Sequence, residues 1–551
     1  MIRSQLKQLV DEGFARGVRE GFWTDAAAGK YTVEVPKHEG QGDFSTNLAL
    51  VVAGLEKCNP RQVATRLVEL LGDEGPMIER LEIAGPGFVN FFLRPSVWSS
   101  VLAPIREQGE RFGRAGFGAG EKVLVEFVSA NPTGPLSVGH GRNAILGDTI
   151  ARLLEAVGYD VQREYYFNDA GRQMRVLGES TRARYLELLG LESDFPEDGY
   201  QGDYIYDIAR SLREEHGDRL KDADISVFKE RAQEAIFADI DATLQRIGIR
   251  FDSYFNEHTL YEEGLIDDVV ALLQEKGLVY EKEGATWFRT TALGLEKDRV
   301  IIKSTGEPTY RLPDIAYHRE KFRRGFDRMI NVFGSDHIAT VPDVLAGVRA
   351  LGYDDARVQV VLYQFVTLLR GGRQVKMSTR KATFVTVDEL VDEVGVDALR
   401  FFFLMRKADS QLEFDLDLAT QQSQENPVYY VQYAHARLCS IERQAAEKGL
   451  PVIDFEAAAL DLLREPEEFA LLKLMAEYPA QVAGAARDLA PHRMIFYLME
   501  LAGRFHSYYN RHKVLTDDAD LTLARRCLCD GLKTVFRNGL LLVGMTAPTR
   551  M

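Results

Sequence analysis

Apolar and polar positions alternate with helical spacing from Met1 to Glu20, which predicts an amphipathic helix at the start of the chain. Helical patterns follow at Asn47–Leu55 and Pro60–Leu71, interleaved with short strand-like runs at Tyr31–Pro36 and Gly87–Leu93. The glycine-rich stretch Phe112–Gly120 then reads as a linker. It lacks the Gly-Lys-Ser/Thr ending of a phosphate loop and precedes a strand instead of following one. Lys122–Val128 is a strongly apolar strand, Arg142–Val157 a helix and Val161–Tyr166 a second strand. Strand, loop, helix and strand make a βαβ unit, and such units build parallel sheets. Charge and helical periodicity dominate from about 180 to 295, as in an insertion. Short apolar runs at Val300–Lys303, Arg328–Val332 and Val358–Val361 are expected to complete the sheet. From Pro427 onward the pattern is helical, with long segments at Tyr429–Glu447, Glu467–Leu489 and His492–Lys513.

The expected fold is therefore α/β and multidomain. A Rossmann-type doubly wound parallel sheet with an insertion spans 118–425, the insertion lying at about 180–295. An α+β domain spans 1–110 and an α-helical bundle 426–551. The length of 551 residues fits this division, being too great for one ordinary core. No internal repeat or low-complexity tract interrupts it.

Composition narrows the function. The formal charge of −16 argues against a protein that merely coats nucleic acid, and confines any RNA contact to a defined face. Cys58, Cys439, Cys527 and Cys529 form no CxxC pair and read as reduced thiols of a cytosolic protein. No secretory signal and no apolar run of membrane-spanning length is visible, so the expected location is the cytoplasm.

The chemistry begins between the first strand and the first helix, in Ala130-Asn-Pro-Thr-Gly-Pro-Leu-Ser-Val-Gly-His-Gly-Arg-Asn-Ala-Ile-Leu-Gly-Asp148. In an open α/β sheet, ligands bind beyond the carboxyl ends of the strands. Gly139 and Gly141 would let a nucleotide approach the backbone, and the helix N-terminus offers N–H groups to phosphate. His140 supplies a donor where charge would build on an α-phosphate. The plain alternative for Gly-His-Gly alone is a tight turn with a capping histidine.

This segment resembles the His-x-Gly-His signature of class I aminoacyl-tRNA synthetases. The longer string from Glu126-Phe-Val-Ser-Ala-Asn-Pro-Thr-Gly-Pro to Gly-His-Gly-Arg-Asn143 resembles the arginyl-tRNA synthetases in particular. Ser137 stands where that family has its first histidine. It donates one hydrogen bond but carries no charge, which leaves the imidazole's task to Ser137, to water or to a nearby cation. Lys376-Met-Ser-Thr-Arg380 resembles the family's Lys-Met-Ser-Lys-Ser loop, whose cations meet the charge of the leaving pyrophosphate. Thr379 replaces the second lysine, so Arg380 and Lys381 are the candidates for its cation.

The resemblance runs from about residue 30 to Met551 and implies residue roles. Ser137, Gly139, His140, Asn143, Lys376, Met377 and Ser378 would bind ATP, with His140, Lys376 and Arg380 catalytic. Glu126, Asn131, Tyr310, Asp314, Asp336 and His337 would bind arginine, because carboxylates hold a guanidinium in a planar, bidentate way. The N-terminal unit, with Gly42-Asp-Phe-Ser-Thr-Asn47, would touch the tRNA elbow. The C-terminal bundle would read the anticodon, with Tyr508, Tyr509 and Met551 as candidate stacking surfaces. Phe167-Asn-Asp-Ala-Gly-Arg-Gln173 and Phe195-Pro-Glu-Asp-Gly-Tyr-Gln-Gly-Asp-Tyr-Ile205 also resemble these enzymes, the second without an evident chemical role.

What the resemblance implies is a two-step reaction. Arginine's carboxylate attacks the α-phosphorus of ATP, and a terminal ribose hydroxyl of tRNA(Arg) then takes the arginyl group. ATP would come with Mg²⁺, no zinc or organic cofactor is expected, and the chain is expected to act as a monomer away from membranes. Two rivals stand beside this reading. A small nucleotidyltransferase would share the sheet and loop but lack the C-terminal bundle. A non-catalytic RNA-binding paralogue would account for Ser137 and Thr379, though not for His140, Lys376, Glu126 and Asp314.

Overall fold

The computed structural model describes residues 2–36, 38, 40–72, 77–169, 171–375 and 385–551. Helix Ile2–Arg19 turns Leu6, Val10 and Phe14 inward against helix Pro60–Leu71, as its spacing predicts. Beside them lies a four-stranded antiparallel sheet in the order Val33–Glu34, Phe44–Thr46, Phe88–Leu93, Ile78–Ala84.

The central sheet has five strands, all parallel, in the spatial order Val358–Tyr363, Arg328–Gly334, Lys122–Glu126, Asp160–Phe167, Ser253–Asn256. The chain winds outward from Lys122–Glu126 in one direction, then returns to add Arg328–Gly334 on its other side. The strand order therefore reverses between these two, and a crevice opens at their carboxyl ends. The glycine-rich linker is a strap along this sheet. Its Ala115, Gly118 and Gly120 amides donate to the carbonyls of Ala156, Val157 and Gly158 at the end of the first helix.

Two expectations need correction. The run at Val300–Lys303 does form a strand, Arg299–Ile302, but it lies outside the parallel sheet. Val300 pairs with Trp287 and Arg299 with Phe288 in a three-stranded antiparallel sheet with Ala285–Phe288 and Val279–Lys282. The fifth parallel strand is instead Ser253–Asn256, inside the stretch read as an insertion. Its neighbour Asp160–Phe167 supplies the pairing that a run of four residues is too short to advertise. The preceding helices Arg172–Leu188, Asp203–His216 and Ile225–Arg246 pack on one another.

Helices Pro427–Glu447, Pro466–Arg487, His492–Arg511 and Ala519–Leu542 pack together at the C-terminal end. One continuous apolar cluster joins them to the first helix of the central unit and to the N-terminal unit. Arg400 sits wholly buried at that junction. It donates to the Ile247 and Val543 carbonyls at 2.9 Å each and to Asp148 at 2.5 Å. Cys527 and Cys529 are buried free thiols, Cys439 is partly buried and Cys58 is exposed. No helix among the described residues is long and apolar enough to cross a membrane.

Candidate active site

A cavity of about 530 Å³ occupies the crevice where the strand order reverses. The first parallel strand ends in Glu126 and enters it through Val128 and Ser129. Both have positive φ, 64° and 42°, a costly conformation for residues with a Cβ and most of all for a β-branched one. Asn143 holds this turn. Its Oδ1 accepts the Val128 amide at 2.7 Å, and its Nδ2 donates to the Val332 carbonyl at 2.9 Å. Asn143 thus bridges the two strands on either side of the crevice from within helix Val138–Ala156.

Ser137 is the N-cap of that helix, and His140 turns back on it. The Ser137 amide donates to His140 Nδ1 at 3.2 Å, so the proton of a neutral ring sits on Nε2. Burial pushes the imidazole down to about 4, so it is neutral at physiological pH and offers Nε2–H as a donor. The capping and donor readings of His140 are therefore compatible. A Cβ at Gly139 would meet only the Ser137 hydroxyl, at 3.8 Å. Gly141 does not serve an approaching ligand. A Cβ there would lie 2.8 Å from Val387, so this glycine lets the helix pack.

The opposite wall is acidic. Glu126, Glu257, Asp314 and Asp336 line the cavity, and no lysine or arginine does among the described residues. Burial, and then the charges of Glu126 and Glu257, push the Asp314 carboxyl up to about 8. Burial, with the charge of Asp169, also raises Glu257. The Tyr166 hydroxyl is buried beside Glu257 in this cluster. Buried acids crowded together, with no lysine or arginine lining the cavity among the described residues, make a wall that a cation would complete.

Glu126 differs from the other acids. Lys321, buried behind the wall, donates to its Oε2 at 2.5 Å and to Asn331 at 2.9 Å. His318 completes this layer as a neutral ring: Nδ1–H donates to the Asp314 carbonyl and Nε2 accepts from Asn331. Burial lowers that imidazole to about 3, and the nearby Lys321 adds to the effect.

The remaining candidates fall as follows. Asn131 lines the cavity and donates to Gln173 at 2.6 Å. Tyr310 stands at the rim, 76% exposed, just before the helix that carries Asp314. Asp336 and His337 are exposed at the end of strand Arg328–Gly334, with the His337 ring 5.2 Å from that of Phe333. Lys376, Met377, Ser378 and Arg380 lie outside the described residues. Glu257, absent from the sequence-derived set, heads the short helix His258–Glu262. Asp169 anchors that helix by accepting the His258 amide and pairing with its ring. The only signal for it was Asp169 in the segment Phe167–Gln173.

Tyr508 needs correction. It is fully buried and directs its hydroxyl to Glu468, so its ring is a core element and not a stacking platform. Tyr509 is half-buried with Arg437 over its ring at 4.6 Å. Arg437 also covers Tyr433, which stacks on Tyr429 at 5.7 Å. Tyr429, Tyr433 and Arg437 recur every four residues on helix Pro427–Glu447, forming a partly exposed ladder of rings and a cation. Met551 is 49% exposed.

Comparison with known proteins agrees over the whole length. Residues 2–93 match the arginyl tRNA synthetase N-terminal domain, 108–412 the catalytic domain of class I tRNA synthetases (R), and 431–551 the DALR anticodon binding domain. The chain is 66% identical to an arginine–tRNA ligase of Desulfotalea psychrophila and 50% identical to one of Syntrophotalea carbinolica, each over 100% of both chains. Among solved structures, it resembles the Thermus thermophilus arginyl-tRNA synthetase with a TM-score of 0.76 at 25% identity over 100% of both chains. A putative Campylobacter jejuni arginyl tRNA synthetase gives 0.76 at 33% identity, covering 83% of this chain and 100% of that one.

Proposed function

The chain belongs to the arginyl-tRNA synthetases, and on that premise we propose that it attaches arginine to tRNA at the expense of ATP, through arginyl-adenylate. The observation that carries this reading is the cavity wall of four carboxylates without a lysine or arginine among the described residues. A guanidinium would complete it. Asp314 and Glu257 face its two edges, the Tyr166 hydroxyl adds an oxygen, and Glu126 contributes a carboxylate already balanced by Lys321. Tyr310 closes the rim, Asn131 meets arginine, and Asp336 and His337 stand where the amino acid or the adenosine is contacted.

ATP lies along the N-terminus of helix Val138–Ala156, over Gly139, with Ser137 at the cap and Asn143 keeping the floor rigid. His140 Nε2–H meets charge developing on the α-phosphate. Lys376 and Arg380, with Met377 and Ser378, act on the leaving pyrophosphate, and Mg²⁺ enters with ATP as part of that substrate. The protein's share is positioning and charge stabilisation. Residues 1–110 touch the tRNA elbow, 118–425 carry the chemistry, and 426–551 read the anticodon, with Tyr509, Met551 and the Tyr429–Tyr433–Arg437 ladder as contacts. The enzyme works as a monomer in the cytoplasm.

The test is aminoacylation of unfractionated tRNA with each of the twenty amino acids and ATP. Charging with arginine alone, abolished by Asp314→Ala, supports the reading. Charging with another amino acid overturns the pocket, and no charging by folded protein returns the non-catalytic reading. Arginine-dependent pyrophosphate exchange should require tRNA, and fast exchange without it contradicts that part.

A further inference from the structure

The segment Phe195–Ile205 has so far had no role in the reaction, yet it reaches the signature loop. The Tyr204 hydroxyl donates to the Thr133 carbonyl at 2.6 Å. Its ring lies against Gly134, where a Cβ would stand 3.0 Å from the hydroxyl oxygen and 3.1 Å from the carbon bearing it. The glycines of the segment make this possible. A Cβ at Gly202 would fall 2.2 Å from the Tyr204 ring, and one at Gly199 would fall 2.5 Å from that of Phe195. The segment is itself fastened to helix Arg172–Leu188, where the Ser180 hydroxyl accepts the Tyr200 amide at 3.0 Å.

The loop 130–137 has two separately anchored halves. Its C-terminal half is held by the backbone around Thr386: Val138 donates to the Val385 carbonyl at 3.3 Å and Val387 to the Leu136 carbonyl at 2.9 Å. Its N-terminal half is held only by side chains among the described residues. Tyr165 donates to the Ala130 carbonyl at 2.8 Å, Asn131 donates to Gln173, and Tyr204 donates to the Thr133 carbonyl. Thr133 in turn donates its amide to the Asn131 carbonyl at 2.7 Å, so what fixes Thr133 fixes Asn131.

We propose that Tyr204 is a positioning residue for arginine, clamping the 130–135 half of the signature loop and so setting Asn131 at the cavity wall. The inference rests on the reading of Asn131 given above. It divides the two substrates, since Ser137, and the helix Val138–Ala156 that carries His140, lie beyond the half that Tyr204 holds.

Tyr204→Phe keeps the ring and removes only the donor. With tRNA present, pyrophosphate exchange should show the KM for arginine raised about 3- to 10-fold, the equivalent of one neutral hydrogen bond. The KM for ATP and the thermal midpoint should stay where they are. Gly134→Ala, which pushes on the same contact from the loop side, should raise the same KM, and the double variant should fall short of the product of the two. Asn131→Ala separates the premises. If it raises the KM for arginine while Tyr204→Phe leaves it within about twofold of the parent, the clamp is wrong and the reading of Asn131 stands. If neither moves it, both fall. A Tyr204→Phe effect shared equally between arginine and ATP, or seen only as lost stability, also overturns the clamp.

Discussion

Lys321 Nζ lies 2.5 Å from Glu126 Oε2, and both side chains are shut away from solvent at the back of the cavity. The pair is not a simple source of stability, because two buried charges forfeit hydration that their attraction only partly restores. Its effect is to cancel one carboxylate of the wall while leaving Asp314 and Glu257 uncancelled. Removing only the cation strands Glu126. Lys321→Met should therefore cost about 3–5 kcal/mol of unfolding free energy. Lys321→Met with Glu126→Leu should cost much less. Urea unfolding of the three proteins measures this, and equal losses in single and double variants would show that the pair carries no coupling.

His140 is the next test. With its imidazole at about 4 and Nδ1 occupied by the Ser137 amide, the ring acts as a neutral Nε2–H donor. Activity between pH 6 and 8 should then carry no inflection from this residue. His140→Ala should lower kcat for adenylate formation by about 10²–10³, the usual loss for one donor aimed at a developing charge. A kcat that falls as a histidine titrates near pH 6.5, and disappears with His140, would mean that the charged ring is the active form.

How much of this was legible in the chain varies with the kind of signal. Lys122–Glu126 and helix Val138–Ala156 announce themselves through strong apolar patterning, and the signature string lies between them. Ser253–Asn256 is only four residues long, with two aromatic rings between polar ends, and becomes a strand where Asp160–Phe167 offers it an edge. Glu257 is one acid in an acid-rich stretch, and only the folded chain brings it to Asp314. Tyr508 and Tyr509 look alike in sequence. Helical geometry alone turns one into the core and leaves the other beside Arg437.

Arg142 ties the helix of His140 to backbone at Gln364, Lys407 and Ser410. From the helix of His140 it donates to the Gln364 carbonyl at 2.5 Å and to the Lys407 and Ser410 carbonyls at 3.0 Å each. Those acceptors flank, in sequence, the segment that contains Lys376 and Arg380. Burial lowers the guanidinium to about 10, which still leaves it charged at neutral pH. A lysine has no planar fork with which to span three carbonyls. Arg142→Lys should raise the KM for ATP and lower kcat together, by about tenfold overall, since each charged bond contributes roughly 1.5–3 kcal/mol. Steady-state exchange at varied ATP decides it, and unchanged parameters would make Arg142 a purely architectural residue.

Asp314 sets the pH dependence. In the empty enzyme its carboxyl, at about 8, holds a proton at neutral pH that the unfolded chain would release near pH 4. The fold therefore loses stability from this group as pH rises between those values, and Asp314→Asn should flatten that slope. Arginine binding has the opposite sign. A guanidinium favours the carboxylate, so binding at pH 7 should release a proton, and the KM for arginine should fall as pH rises toward 8. Calorimetry in two buffers of different ionisation enthalpy counts that proton. Citrulline sharpens the argument, because it presents a carbonyl oxygen where arginine presents N–H groups. Protonated Asp314 can donate to that oxygen, whereas the carboxylate repels it. Discrimination against citrulline, of order 10⁴ for a site built on buried polar groups, should therefore widen from pH 6.5 to pH 9. A ratio independent of pH would mean that Asp314 is already ionised when the substrate arrives, its charge held by a group other than arginine.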